Sequence, residues 1–143
     1  IPSDPAHSSE LDSAVIGNPS TNSGIYAFQN PEALDINLLV IPGFSSGAVI
    51  GTGLQMCESR GDVLMLVDPP FGLRPQQCID WHNGMLLSDV ASAINSSYGA
   101  LYWGWVKIFD QFSSQEVWVP PSGHVSVCPS RFTTWTFTNS FGC

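Results

Sequence analysis

The sequence predicts an α/β fold, a three- to four-stranded, mostly parallel sheet with flanking helices behind an irregular N-terminal lead-in. Three observations predict it. Residues 36–41, apolar but for Asn37, and 62–68 (DVLMLVD), apolar between its two aspartates, are short runs of strand length without the alternation of a half-solvated strand, as in strands covered on both faces. Between them, Val49, Ile50, Leu54, Met56 and Cys57 recur near the helical period and Gly61 stands as a stop. The order then repeats, with a helix signal from Pro75 and a β-branched, aromatic run over residues 98–109. Strands alternating with helices in this way require parallel pairing through right-handed crossovers.

Residues 1–34 are rich in Pro, Ser, Asn and Gly, with apolar patches only at Val15-Ile16 and over 25–28, and read as a lead-in. Residues 31–34 can make one helical turn. The first strand ends at Pro42-Gly43, and a helix over 46–60 follows, its three internal glycines (Gly47, Gly51, Gly53) letting it lie close to the sheet. The second strand stops at Pro69-Pro70. Pro75 suits the first turn of a helix, where its missing N–H costs nothing. Ile79, Trp81, Leu86, Leu87, Val90, Ala91 and Ile94 carry its periodicity to about residue 95, with a break at Asn83-Gly84. After the third strand come a polar loop at 110–115, a short strand at 117–119 and a last helix with Ser122 as its cap. The organisation is thus a lead-in (1–34), an α/β core (35–127) and an aromatic-rich tail (128–143). No internal repeat has a period of 20–50 residues.

The 143 residues suit a single domain, and 43% apolar residues with five Trp and eight Phe exclude intrinsic disorder. Charged residues are only 11%, so part of the surface is expected to be covered by other protein. A net charge of −8 leaves no basic patch for phosphates or anionic lipid, and no apolar run approaches the ~20 residues of a membrane span. Cys57, Cys78, Cys128 and Cys143 contain no Cys-x-x-Cys pair and read as free thiols in a reducing compartment rather than as two disulfides. The sequon Asn95-Ser96-Ser97 carries little weight without a secretory signal. Ile1 in place of Met points to a processed chain or a piece of a larger one.

One motif suggests chemistry. Gly43-x-Ser45-x-Gly47 lies between a strand and a helix, as the nucleophile elbow of serine hydrolases does, with Asp68, Asp110 and His124 following in the order of that triad. Three physical objections favour a capping turn. Pro42 and the second serine, Ser46, fit a strand end and a helix cap. The 35 residues before the strand offer no earlier strand to supply an oxyanion donor. Nothing pairs Asp68, stiffened by Pro69-Pro70, with His124. Asp80 and His82, at i and i+2, point to different sides of a helix and make a poor metal site. His7 and His124 read as surface residues. Gly47-x-x-x-Gly51-x-Gly53 lacks the Lys-Ser/Thr of a phosphate loop and is not a dinucleotide fingerprint. No catalytic, cofactor-binding or metal-ligating residue is therefore assigned, and no cofactor is expected.

Four strings, NLLVIPG (37–43), CESRGDVLMLVDPP (57–70), SSYGALYWGWVKIFD (96–110) and VWVPPSGHV (117–125), together resemble the tail sheath proteins of contractile-tailed bacteriophages. In that family a strand ending at Pro-Gly leads to a helix, then to Glu-x-Arg-x-Asp and a strand ending in Asp-Pro-Pro. The corresponding residues are Glu58, Arg60, Asp62, Asp68, Pro69 and Pro70. A Ser-Ser-Tyr strand and a Pro-Pro-Ser-Gly-His turn complete the match over residues 35–125. Sheath proteins are normally several times longer, and after Val125 this chain departs from the family's small-residue helix.

The resemblance implies a structural, non-enzymatic virion subunit, assembled in the host cytoplasm. It would stand in a helical array of its own copies around the inner tail tube protein, bounded by baseplate and tail terminator proteins. Contraction of that array drives the tube through the host envelope for genome ejection, with no direct nucleic-acid contact and no membrane insertion. Expected contacts between copies are the turn 69–74 (Phe71, Leu73, Arg74), the loop 110–116 (Phe112) and the tail around Trp135. The rival readings are a small serine hydrolase using Ser45, and a monomeric ligand-binding module with its site near Gly43 and Asp68.

Overall fold

A computed structural model describes residues 9–85 and 94–127. Strands β1 (Leu38–Val40), β2 (Leu64–Val67) and β3 (Gly99–Leu101) form one parallel sheet in the order β1-β2-β3, with Leu39 level with Met65 and Leu66 level with Ala100. The predicted α/β class is thus found, with a three-stranded sheet flanked by helices. β2 is the central strand, and Val63, Met65, Leu66 and Val67 are all buried on alternating sides of it. β1 lies at an edge, where only Leu39 is fully buried. Two-sided coverage, expected for both apolar runs, therefore holds for β2 alone.

Helices share with the sheet a core that also takes in Trp81. α1 (Ser9–Ile16) comes first and α2 (Gly47–Arg60) joins β1 to β2. The N-cap of α2 is Ser46, whose Oγ accepts a long bond of 3.4 Å from the Val49 amide, and Gly61 closes the helix in the left-handed conformation. Its buried residues, Val49, Ile50, Gly53, Leu54, Met56 and Cys57, form the apolar stripe that packs on the sheet. Gly53 shows the expected close approach: a Cβ there would lie 2.6 Å from Met65 Sδ and 3.4 Å from Leu39 Cδ2. A Cβ on Gly51 would meet nothing.

The lead-in is more ordered than its composition predicts. Acidic Glu10 and Asp12 sit in the first turn of α1, where the helix dipole favours them. Two 3₁₀ turns follow, Pro19–Thr21 and Gly24–Phe28. Val15, Ile16, Ile25 and Phe28, the two apolar patches, pack on the core, Ile25 with only 3% of its surface exposed. Gly17 permits the bend, because a Cβ there would fall 2.0 Å from the Ser23 carbonyl oxygen. Residues 31–34 form a turn, with the Ala33 and Leu34 amides bonded to the Asn30 carbonyl.

Arg60 fastens this segment to the end of α2. One guanidinium nitrogen, Nη1, donates to the carbonyls of Phe28 (2.6 Å) and Leu34 (3.0 Å), while Nε and Nη2 each reach an Asp62 carboxylate oxygen at 2.8 Å. Its side chain is 1% exposed and that of Asp62 is 43% exposed, so the buried cation is paired and makes four hydrogen bonds. A lysine at this position has no planar fork with which to do both.

The single strand expected over 98–109 is two strands in different sheets. β3 ends at Leu101, and β4 (Val106–Asp110) pairs antiparallel with β5 (Gln115–Val119) as a separate hairpin, Val106 opposite Val119 and Asp110 opposite Gln115. The break falls at Gly104, whose φ of +110° is open to glycine and strained for other residues. At the hairpin turn the Asp110 carboxylate accepts bonds from the Phe112 and Ser113 amides and the Ser113 hydroxyl. Helix α3 (Pro75–His82) starts at its proline as expected and stops at Asn83-Gly84, and α4 (Ser122–Val125) follows the hairpin. The expected continuation through Leu86, Leu87, Val90 and Ala91 lies outside the described residues, as do His7 and residues 128–143 with Cys128, Cys143 and Trp135.

Gly51 and Gly53 separate helix propensity from packing. Gly51→Ala should raise stability to urea by about 1 kcal/mol, the usual glycine penalty in a helix interior. Gly53→Ala should gain none of this, because the new methyl must displace the buried Met65 thioether.

Candidate functional site

In an open α/β sheet, ligands and reactive groups collect beyond the carboxyl ends of the strands. Asp68 directly follows β2 there and is 2% exposed. Its Oδ1 accepts the Ser122 amide at 3.0 Å, while Oδ2 accepts the Ser122 hydroxyl at 2.5 Å and, more weakly, the Gly43 amide at 3.4 Å. One carboxylate therefore holds the turn after β1, the end of β2 and the start of α4. Ser122, itself 1% exposed, is not the helix cap that its sequence context suggests. Pro121 occupies the cap, and Ser122 is the first helical residue, with its hydroxyl turned to Asp68.

The hairpin closes over the same strand ends. Trp105 Nε1 donates to the Pro69 carbonyl at 3.0 Å and Trp103 Nε1 to the Leu73 carbonyl at 2.9 Å. The Phe71 ring meets Trp105 edge-on at a centroid distance of 5.0 Å and Trp118 at 5.9 Å, tilted. Sequence reasoning missed these anchors because Trp103 and Trp105 fell within one apparent strand. The signal was Gly104 between them, since an isolated glycine in a strand pattern marks a break or bulge.

The elbow residues are arranged as follows. Ser45 is half-buried, one residue before the cap of α2. It lacks positive φ; among the described non-glycine residues only Asn22 and Ser114 have it, so the strained apex of a nucleophile elbow is not present at Ser45. Asp68 is engaged by Ser122 and Gly43, Asp110 by its own turn, and His124 is exposed on α4. No hydrogen bond links Ser45, His124 and either carboxylate among the described residues.

Other candidates have local partners. Asp80 accepts from the Gln76 amide at 3.1 Å, and His82 Nδ1 lies 3.4 Å from Asn83 Oδ1. No cluster of three His, Cys, Asp or Glu suited to a metal occurs among the described residues. Cys57 and Cys78 are free and buried. Burial pushes the Cys57 thiol up to about 11 and raises that of Cys78, because desolvation disfavours the thiolate. An open cavity of about 480 Å³, lined among others by Asn22, Tyr26, Gln29 and Asn30, contains none of the sequence candidates.

Of the expected inter-copy contacts, Phe71 and Leu73 are half-buried, Phe71 against two tryptophans and Leu73 against the core. Arg74 is exposed, its backbone amide bonded to Gln77 Oε1 at the start of α3. Phe112 is fully exposed at the hairpin tip.

The four strings of the sequence turn out to be partners of one another. Glu58 accepts the Ser96 hydroxyl at 2.6 Å, Ser96 Oγ accepts the Tyr98 amide at 3.2 Å, and the Tyr98 carbonyl accepts the Met65 amide at 2.8 Å. Arg60 pairs with Asp62, and Asp68 joins the Pro42-Gly43 turn to the Pro-Pro-Ser-Gly turn. No protein-family model matches the chain, and no curated protein matches it significantly.

Asp68→Ala would bury the Ser122 amide and hydroxyl without an acceptor and should lower stability by about 2–6 kcal/mol in urea unfolding, since each orphaned buried donor costs roughly 1–3. Ser122→Ala should cost less, because the Ser122 amide remains.

Two carboxylates bind protons more weakly than usual. The Arg60 bond lowers the pKa of Asp62, and the Ser113 hydroxyl, followed by the Phe112 amide, lowers that of Asp110. A pKa depressed in the folded state gives stability that is complete above the ordinary value of about 3.9 and lost as pH falls through the lower folded value. Stability should therefore fall more steeply below about pH 4 in the parent chain than in Ser113→Ala, as measured by urea unfolding across pH.

Proposed function

We propose that this chain is a structural protein, one domain or fragment of a contractile tail sheath subunit that packs with copies of itself around an inner tube. The observation that carries the reading is the pairing of the four strings. Glu58 with Ser96, and Asp68 with Ser122 and Gly43, use the chain's distinctive polar residues as fasteners between elements. A subunit that must move as a body while exchanging neighbours needs such internal rigidity. The low charge density and the exposed rings at the hairpin agree with a surface covered by protein.

On this reading, array formation and contraction are a shift between two sets of inter-subunit contacts, each available to the same rigid core. The tube, baseplate and terminator proteins are the further partners it calls for. Negative-stain electron microscopy of the purified chain should reveal tubes or sheath-like polymers, and a protein that stays dispersed at all concentrations would overturn the reading. A fluorophosphonate probe should leave Ser45 unlabelled; stoichiometric labelling lost in Ser45→Ala would replace the sheath reading with the hydrolase.

A further inference from the structure

The strand register sorts the β4–β5 hairpin into two unlike faces. Val106, Ile108, Val117 and Val119 form one and are half-buried. Lys107, Phe109, Glu116 and Trp118 form the other and are exposed, Phe109 at 62% and Trp118 at 48%, with fully exposed Phe112 at the tip. Phe71 covers part of this face at the Trp118 end. Lys107 stands opposite Trp118 and Phe109 opposite Glu116, so the Lys107–Glu116 ion pair spans one diagonal and the two aromatic rings the other.

Charge selects the occupant. At −8, two copies repel over most of their surfaces and can meet only where the local charge is balanced. Lys107 is the chain's single lysine, Arg60 is buried in its own ion pair, and Arg131 lies outside the described residues, which leaves Arg74 and Lys107 as exposed cations among the described ones. Only Lys107 stands among exposed aromatic side chains with its counter-charge beside it. Rotating a second ribbon about the aromatic diagonal sets Lys107 over the other copy's Glu116 and Glu116 over its Lys107, ring upon ring. The face is thus complementary to itself, a two-fold contact that pairs copies into dimers and leaves a polar array to further, head-to-tail contacts.

We propose that the outward face of the β4–β5 hairpin, built from Lys107, Phe109, Glu116 and Trp118, with Phe112 at its tip, is a contact through which copies of this chain bind one another. The inference rests on the self-association in the proposed function, but not on the array. Sedimentation velocity of the full chain over a concentration series tests it. Phe109→Asp with Phe112→Asp, and separately Lys107→Glu, should each weaken association about tenfold or more, as loss of a central contact does. Exchanging the two charges, Lys107→Glu with Glu116→Lys, should restore it. Both phenylalanines are mainly exposed, and unchanged circular dichroism will verify that the variants fold.

Polymers in the parent chain that the variants lose support both the contact and the array. Discrete dimers that the variants lose support the contact and overturn the array. Polymers that persist in the variants overturn the contact and leave the array standing. A parent chain that stays monomeric throughout overturns both.

Discussion

A carboxylate sealed from water at the end of the central strand is the constraint on which the rest of this structure depends. Burying a carboxyl group without hydrogen-bond partners is costly, and Asp68 offsets this through three donors on two distant segments. Those donors are in place only when the turn after β1 closes and α4 returns to the sheet. The desolvation cost thereby becomes a geometric requirement. Once Ser122 is fixed, the preceding hairpin lies over the strand ends, and Phe71 and Trp105 pack as a consequence. A two-stranded hairpin alone is marginal in water, so this one borrows its stability from the residues that follow β2.

The same interaction bears on what the strand ends can do. In many α/β proteins the crevice beyond the sheet receives a ligand. Here Ser122 bonds Asp68, and the two indole N–H groups bond the Pro69 and Leu73 carbonyls. Together with the Arg60 fork and the Glu58–Ser96 bond, they tie lead-in, helix, sheet and hairpin to one another. A body fastened in this way can change neighbours without changing shape, which is the mechanical demand of the proposed sheath role.

Much of the sheet was legible in the sequence because its signals are local. The continuous apolar run before Asp68 has one reading, and Ser46, the stripe from Val49 to Cys57 and Gly61 mark α2 at both ends. What was not legible depends on distant partners. Ser122 looks like a cap until Asp68, 54 residues earlier, takes its hydroxyl. Residues 98–109 have uniform strand propensity, and only Gly104 marks the change of sheet. Polar composition concealed α1, whose stability comes from packing Val15 and Ile16 on the core rather than from propensity. The Gly-x-Ser-x-Gly pattern was visible, but the geometry that distinguishes an elbow from a cap was not.

Amide hydrogen exchange at Ser122 tests the central claim most directly, because that N–H is protected only while Asp68 holds it. If Asp68 fastens the hairpin and α4 to the sheet, the Ser122 amide will open with the same free energy as the Met65 amide of the central strand. An amide at Ser122 that exchanges early, with the hairpin tip, while Met65 stays protected would contradict the account.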